Sequence, residues 1–160
     1  MNPFSNAPGK TLRGLWSTLR PIPGGRAVFS RLVGTAAPYT GSIGAHVDEL
    51  GPGHAKVVLR DRRRVRNHLD CVHAVALVNL AEMATGLAMS MGMPDDARGI
   101  LSGISIEYLK KARGRLTAEC RCEVPATNER REMMVEGNIH NDAGELVARA
   151  TARWLIGPSR

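Results

Sequence analysis

The chain has 160 residues, of which 43% are hydrophobic and 23% are charged. That length and apolar content exclude a disordered chain and allow one domain with a real core. Aromatic residues make up only 4%, so the core must be built from aliphatic side chains and Met. The net charge of +7 favours an anionic partner such as nucleic acid, anionic lipid or a phosphorylated small molecule.

Positive charge is concentrated at the N-terminus, where residues 1–47 carry five basic side chains and no acidic one. Two helical segments are predicted, at 11–19 and 26–32, separated by Pro and Gly breakers. Residues 1–38 are therefore expected to form a basic helical extension packed on the main domain at 39–158. A solvated helical face is the simpler interpretation of this charge, and peripheral membrane contact is the alternative.

Two extended segments, 41–50 and 55–66, flank a Gly-Pro-Gly turn and predict a β-hairpin. If the second segment stays extended to its end, Arg60, Arg62, Arg64 and Arg66 point to one face. Such a row is typical of a charged edge strand or of an anion-binding rim.

The segment 71–93 is apolar nearly all round and ends at Gly92 and Pro94, which predicts one long buried helix. Its length would almost allow a membrane span, but Glu82 and Asn79 near its middle argue against one. Four extended segments follow, at 99–109, 115–124, 131–140 and 145–156, with turns between them. The order predicts an α+β fold in which an antiparallel sheet wraps the helix.

Glu82 is the leading candidate for a functional residue, because a carboxylate on so apolar a helix is costly to bury. Asn79 and Gly86 share its helical stripe, which predicts a polar site wall with a gap. Burial would raise the Glu82 pKa toward that of a general base, although a structural carboxylate fits the same pattern. His73 lies at the helix start, where the N–H groups of Ala74 and Val75 could hold an oxyanion or His73 could simply cap the helix.

Other chemistries find less support. His68, Cys71 and His73 are ligand types but lack a second ligand pair at a usual zinc spacing, so we expect no metal. No Cys-His-Asn signature or phosphate-binding Gly loop is present, and no cofactor is expected. Three cysteines and no apparent secretory signal favour reduced thiols and a cytoplasmic location.

The run from Asn67 to Glu82 resembles the active-site motif of hotdog-fold acyl-CoA thioesterases, and specifically the phenylacetyl-CoA thioesterase-like branch. Asn67, His73, Leu80 and Glu82 match that motif in register. Segments 38–42 and 106–114 are also similar, and the resemblance extends from about residue 13 to residue 154. Two departures stand out: Asp70 replaces a motif Gly, and Ala74-Val75 replaces Gly-Gly.

The resemblance implies a long helix wrapped by a curved sheet, and a homodimer or dimer of dimers with sites at the subunit interface. It implies Glu82 as base or nucleophile, Asn67 and His73 as positioning groups, and the Ala74 N–H as the donor to the thioester oxygen. Coenzyme A would be part of the substrate, and its phosphates would suit Lys110, Lys111 and Arg113, with Arg62, Arg64 or Arg66 as further candidates. Substrate contact is also expected at Asn79, Val75 and Gly86.

Hydrolysis of an acyl-CoA, preferably with a medium or long aliphatic chain, is thus the leading functional hypothesis. A non-catalytic binder of acyl-CoA or lipid is the alternative. Enoyl-thioester hydration lacks its usual motifs, and nucleic-acid binding lacks stacking aromatics, so no nucleic-acid partner is expected.

Overall fold

The computed structural model describes residues 8–159. Three helices precede two strands, a short 3-10 helix at Arg63–Val65 and a long helix follow, and four strands complete the chain. They are α1 Pro8–Leu19, α2 Gly25–Ala36, α3 Pro38–Ser42, β1 His46–Gly51, β2 His54–Arg60, α4 Ala74–Gly92, β3 Ala97–Tyr108, β4 Arg115–Arg121, β5 Arg131–His140 and β6 Leu146–Pro158.

All six strands form one antiparallel sheet in the order β1-β2-β4-β5-β6-β3. The sheet curves around α4, so the α+β prediction and the helix-in-sheet arrangement implied by the resemblance are confirmed. β3 follows α4 in the chain but pairs with β6, which places β3 at one edge of the sheet. An edge strand leaves one row of backbone hydrogen-bonding groups unpaired within the chain.

Helix α4 is the centre of the core. Small and aliphatic residues such as Leu80, Ala81, Ala84 and Ala88 are fully buried in it, which lets the sheet approach closely. The helix is long and apolar enough to cross a membrane by length and composition, yet 67% of it is buried inside the fold. That burial is typical of the core helix of a folded domain.

The prediction of an extended run to residue 66 is wrong. β2 ends at Arg60, and residues 63–65 turn into the 3-10 helix, which buries Val65. Asp61 stabilises the break by accepting hydrogen bonds from the Arg66 Nε at 2.6 Å and the Gly114 N–H at 3.1 Å. Arg66 is thereby directed to Asp61, and the four arginines do not form one row. Residues 41–45 also precede the first strand, because Pro38–Ser42 is helical.

The N-terminal helices pack on the sheet and on α4. Leu12 and Trp16 of α1 are buried, and the Trp16 ring meets Phe29 of α2 edge to face at 5.0 Å. Arg13 donates to the carbonyls of Ser90, Met91 and Met93 at the end of α4 and pairs with Asp95 at 2.5 Å. Residues 1–7 of the predicted extension lie outside the described residues, and its boundary at residue 38 stays a prediction.

Candidate active site

One stripe of α4 is left uncovered by the chain's own sheet. Its partly exposed residues recur at a spacing of four: Ala74, Val78, Glu82, Gly86 and Ser90. Val75 and Gly92 are the other α4 residues that are not buried. Within residues 8–159, the single carboxylate of the helix therefore lies on a partly exposed stripe of α4 that another molecule can reach.

Glu82 is half-buried, and burial raises the pKa of its carboxyl above the ordinary 4.5. No hydrogen bond or ion pair within residues 8–159 offsets that burial at its carboxylate. A carboxyl group in this situation accepts a proton more readily than a solvated one, which is what general-base catalysis near neutral pH requires.

The sequence predicts open space beside Gly86, but the Trp154 ring lies there. A Cβ built on Gly86 would lie 3.0 Å from the Trp154 ring and 3.8 Å from Glu82 Oε1. The indole and the carboxylate therefore flank the same glycine, and the ring supplies part of the apolar surroundings of Glu82. The Trp154 Nε1 donates to the Thr85 hydroxyl at 3.3 Å, which fixes the ring. Trp154 was missed in the sequence because 72 residues separate it from Glu82.

At the start of α4, His73 is the N-cap. Its Nδ1 accepts a hydrogen bond from the Val75 N–H at 3.1 Å. The expectation that the Val75 N–H is free for an oxyanion is therefore wrong, because the capping imidazole uses it. The Ala74 N–H has no acceptor among residues 8–159, so it remains available to a ligand oxygen.

The loop before the helix is organised by Asn67. Its Oδ1 accepts from the Leu69 N–H at 2.9 Å and from the Cys71 N–H at 3.4 Å. The Asn67 Nδ2 makes no hydrogen bond within the described chain and is the atom left for a substrate. Asp70 has φ +52°, the left-handed conformation that favours glycine, which explains why the matching motif position carries Gly.

A cleft of about 330 Å³ brings Asn67 and Ala74 together with Lys110 and Lys111. The Tyr108 hydroxyl closes one side by donating to the Ala74 carbonyl at 3.2 Å. Tyr108 was not predicted as a site residue, although it lies in the segment 106–114 that carries part of the resemblance. This cleft gathers four of the ten predicted site residues.

Two of the three predicted phosphate-binding cations are engaged locally. Lys110 pairs with Glu145 at 2.5 Å. The Arg113 guanidinium donates to the carbonyls of Asp70 and Leu69 and so supports the loop that follows Asn67. Glu145 therefore offsets the charge of Lys110, and the two carbonyls occupy part of the Arg113 hydrogen-bond donors.

A second cleft, of about 280 Å³, lies on the other side of the helix start and is lined by His73, Val75 and Asn79. Asn79 is buried, and its Nδ2 donates to the Tyr39 carbonyl at 3.1 Å. That bond attaches α3 to α4, so the amide group of Asn79 is committed to the fold.

A single chain does not bring Glu82 to the helix start. Nine residues separate Glu82 from His73, which is about 13 Å along an α-helix. No contact joins Glu82 to Asn67, His73 or Ala74 within residues 8–159. Within the same range, no group of three His, Cys, Asp or Glu side chains could hold a metal ion.

These features define a hotdog-fold protein with one half-buried carboxylate on the open face of its central helix. The family described as a domain of unknown function, DUF4442, matches residues 25–156, and the chain belongs to that family. No curated protein matches the chain.

Among solved structures, the chain is similar to a crystal structure described as genomics APC5556. The two share 32% identity with a TM-score of 0.80, over 93% of this chain and 99% of that one. A Pseudomonas aeruginosa protein of unknown function, described as a probable thioesterase, is 19% identical with a TM-score of 0.73, over 87% and 97% of the two chains. A thioesterase family protein from Silicibacter pomeroyi is 19% identical with a TM-score of 0.70, over 81% and 96%. The last two likenesses show the shared fold.

Proposed function

We propose that this protein is a thioesterase that hydrolyses an acyl-CoA to the free acid and CoA, with Glu82 as general base or nucleophile. The observation that carries the proposal is the Glu82 carboxylate, half-buried beside Trp154 without a polar partner in residues 8–159 and open to a ligand on α4. Fold neighbours described as thioesterases support this class of reaction.

In the general-base route, Glu82 takes a proton from water while the water oxygen bonds to the thioester carbon. The Ala74 N–H donates to the oxyanion that forms, and the Asn67 Nδ2 orients the carbonyl or the water. Collapse of the tetrahedral species breaks the C–S bond, and the sulfur leaves with the proton that Glu82 held. Attack by Glu82 itself would break the C–S bond, release CoA as its thiolate and form an acyl-enzyme anhydride, which water then hydrolyses to the free acid and the Glu82 carboxylate.

The distance along α4 supports a site that uses a second copy of the chain. A reacting carbonyl must lie within hydrogen-bonding reach of both the base and the oxyanion donor, and about 12 Å of helix separates Glu82 from Ala74 in one chain. We propose a homodimer, alone or within a dimer of dimers, in which Glu82 of one copy faces the helix start of the other. The open stripe of α4 and the edge strand β3, where Ile100 and Tyr108 are half-exposed, are the surfaces that support it.

A non-catalytic binder of acyl-CoA or lipid is the second candidate. It is favoured by the capped Val75 N–H and by the exposed Val75 side chain, which leave one backbone donor for an oxyanion where catalytic sites often use two. The cytoplasmic location and the preference for an aliphatic acyl chain also stay proposals.

Thiol release from a panel of acyl-CoAs, with wild type and Glu82→Gln, tests the function. We expect kcat to fall by about 10²- to 10⁴-fold in the variant, since Gln cannot accept the proton. Glu136→Gln, an exposed carboxylate on β5, is the matched control. Equal rates for wild type and Glu82→Gln would remove Glu82 from the mechanism. Acyl-CoA binding without turnover by wild type would establish the binder.

A further inference from the structure

A separate and larger cavity, of about 1030 Å³, lies between α2, α3, β1 and β2. Five arginines from three parts of the chain line it, and we call it the arginine cleft: Arg31 from α2, Arg60 from β2, Arg62 and Arg64 from the following loop, and Arg115 from β4. Its volume is that of a site for a small organic ligand.

The positive charge of the arginine cleft is not neutralised by the chain. None of the five arginines makes an ion pair or a side-chain hydrogen bond within residues 8–159. Asp48 is the one acidic residue in the lining, and it already pairs with Arg26 at 3.1 Å. Five unpaired guanidinium groups around one concavity predict an anionic occupant.

The sheet register adds to this charge. Arg60 of β2 and Arg115 of β4 are direct cross-strand partners, and like charges in that position repel each other. His46 lies in the same lining, and its pKa is held below the ordinary value by burial, with Arg26, Arg60 and Arg115 also lowering it. A bound anion would relieve the repulsion between these two side chains.

The backbone also makes room for one of the arginines. Gly44 has φ +64°, and a Cβ there would overlap the Arg64 guanidinium. Arg64 and Ser42 line both the arginine cleft and the cleft that contains His73 and Asn79. The arginine cleft therefore adjoins the cleft that contains His73, at the start of α4.

We propose that the arginine cleft binds the phosphorylated nucleotide end of CoA, a small ligand with several phosphate groups. The inference rests on the proposed function and replaces Lys110 and Arg113, which are engaged locally, as the main phosphate contacts. Guanidinium groups suit phosphates because they donate two parallel hydrogen bonds. The concave shape favours a soluble small molecule over a membrane surface or an acidic carrier protein.

Direct binding of CoA and of 4′-phosphopantetheine, measured by titration calorimetry, tests the inference without any turnover. Wild type should bind CoA at least tenfold more tightly than 4′-phosphopantetheine, because only CoA carries the nucleotide phosphates. The double variant Arg62→Gln/Arg64→Gln should lose about 100-fold in CoA affinity, as two charge-assisted hydrogen bonds would be removed. Arg130→Gln/Arg131→Gln removes the same charge from an exposed site outside the cleft and should retain wild-type affinity.

Arg31→Gln, on α2, is an independent variant that leaves the β2 loop untouched, and it should also weaken CoA binding at least tenfold. Three results would overturn the inference. They are equal affinity of wild type for CoA and 4′-phosphopantetheine, equal losses of CoA affinity in the cleft and control variants, and arginine-dependent binding to phosphatidylglycerol vesicles in place of CoA. If CoA binds as expected but no acyl-CoA is hydrolysed, the proposed function is wrong, whereas the assignment of CoA binding to the arginine cleft is retained. If hydrolysis occurs and the cleft variants leave KM unchanged, the inference fails alone.

Discussion

Two side chains in this protein lower the stability of the folded state, and the rest of the fold must offset that loss of free energy. Glu82 loses solvation on the central helix, and Asp70 adopts a conformation suited to glycine. Both lie in the segment that resembles an active-site motif. Costs of this kind concentrate where function constrains the choice of residue.

Substitution of Glu82 by Gln should stabilise the protein at neutral pH. Because burial raises the folded-state pKa above 4.5, the ionised carboxyl destabilises the folded state at high pH, and that penalty is lost as pH falls below 4.5. The gain in unfolding free energy for Glu82→Gln should therefore be largest at pH 7 to 8 and should vanish in acid. Urea unfolding across pH measures it, with Glu136→Gln as control. A variant less stable than wild type at pH 7 would show that the carboxylate has a stabilising partner.

Position 70 should tolerate Gly and reject a β-branched residue. Asp70→Gly removes the strain of φ +52° and should keep wild-type stability, whereas Asp70→Val should lose about 1 kcal/mol. Urea unfolding of the two variants provides the comparison. Equal stability of the Gly and Val variants would mean that the loop changes conformation when the residue is replaced.

At the scale of elements, boundaries follow local chemistry. The helix predicted over 71–93 spans Ala74–Gly92, because His73 caps its start and Pro94 follows its end. The strands after it were predicted within a few residues, from alternation and turn residues. Residues 61–66 were predicted to continue β2 as an extended strand, and they do not. Val65 is buried, and the Asp61–Arg66 ion pair closes a turn there. The alternation of polar and apolar residues does not predict such a turn.

Arg13 should stabilise the far end of α4. Its guanidinium satisfies three carbonyls at the helix C-terminus, where the helix dipole favours a cation. Arg13→Gln should lower the free energy of unfolding by about 2 kcal/mol. Lys10→Gln, an exposed α1 residue, should change it little. A similar loss in both variants would point to general charge rather than capping, and thermal unfolding in low and high salt separates the two.

The exposed edge of β3 should be the contact between two copies. Wild type is expected to elute with about twice the 17.3 kDa chain mass, or a multiple of it. Ile100→Glu should shift the mass toward one chain, because it places charge beside the sheet edge. Met134→Glu, at an exposed position on β5 away from that edge, should leave the pair intact. Light scattering after gel filtration measures the molar mass of wild type and both variants. A monomeric wild type would show that β3 makes no such contact between copies.

At the scale of the whole molecule, the proposal that two copies share each site can be tested directly. Mixed dimers of Glu82→Gln and Asn67→Asp chains should recover about a quarter of wild-type activity, because half of the dimers are mixed and one site in each is intact. Asn67→Asp is suitable because it keeps the Oδ1 acceptor that holds the loop and replaces the Nδ2 donor with a carboxylate oxygen, which cannot donate when ionised. Thiol release after co-refolding measures the recovery. No recovery, with both parents inactive, would place each site within one chain.

The sequence by itself determined the central helix, the number and approximate bounds of the strands that follow it, and Glu82 as the residue of interest. These features rest on local periodicity, on turn residues and on the cost of a charge in an apolar stretch. Only the tertiary structure decided that Trp154 lies beside Gly86 and Glu82, that His73 uses the Val75 N–H, and that Arg31 joins the arginines of the β2 loop and β4 around one cavity. The physical reason is that strand pairing and side-chain packing join residues far apart in the chain, and no local pattern records them.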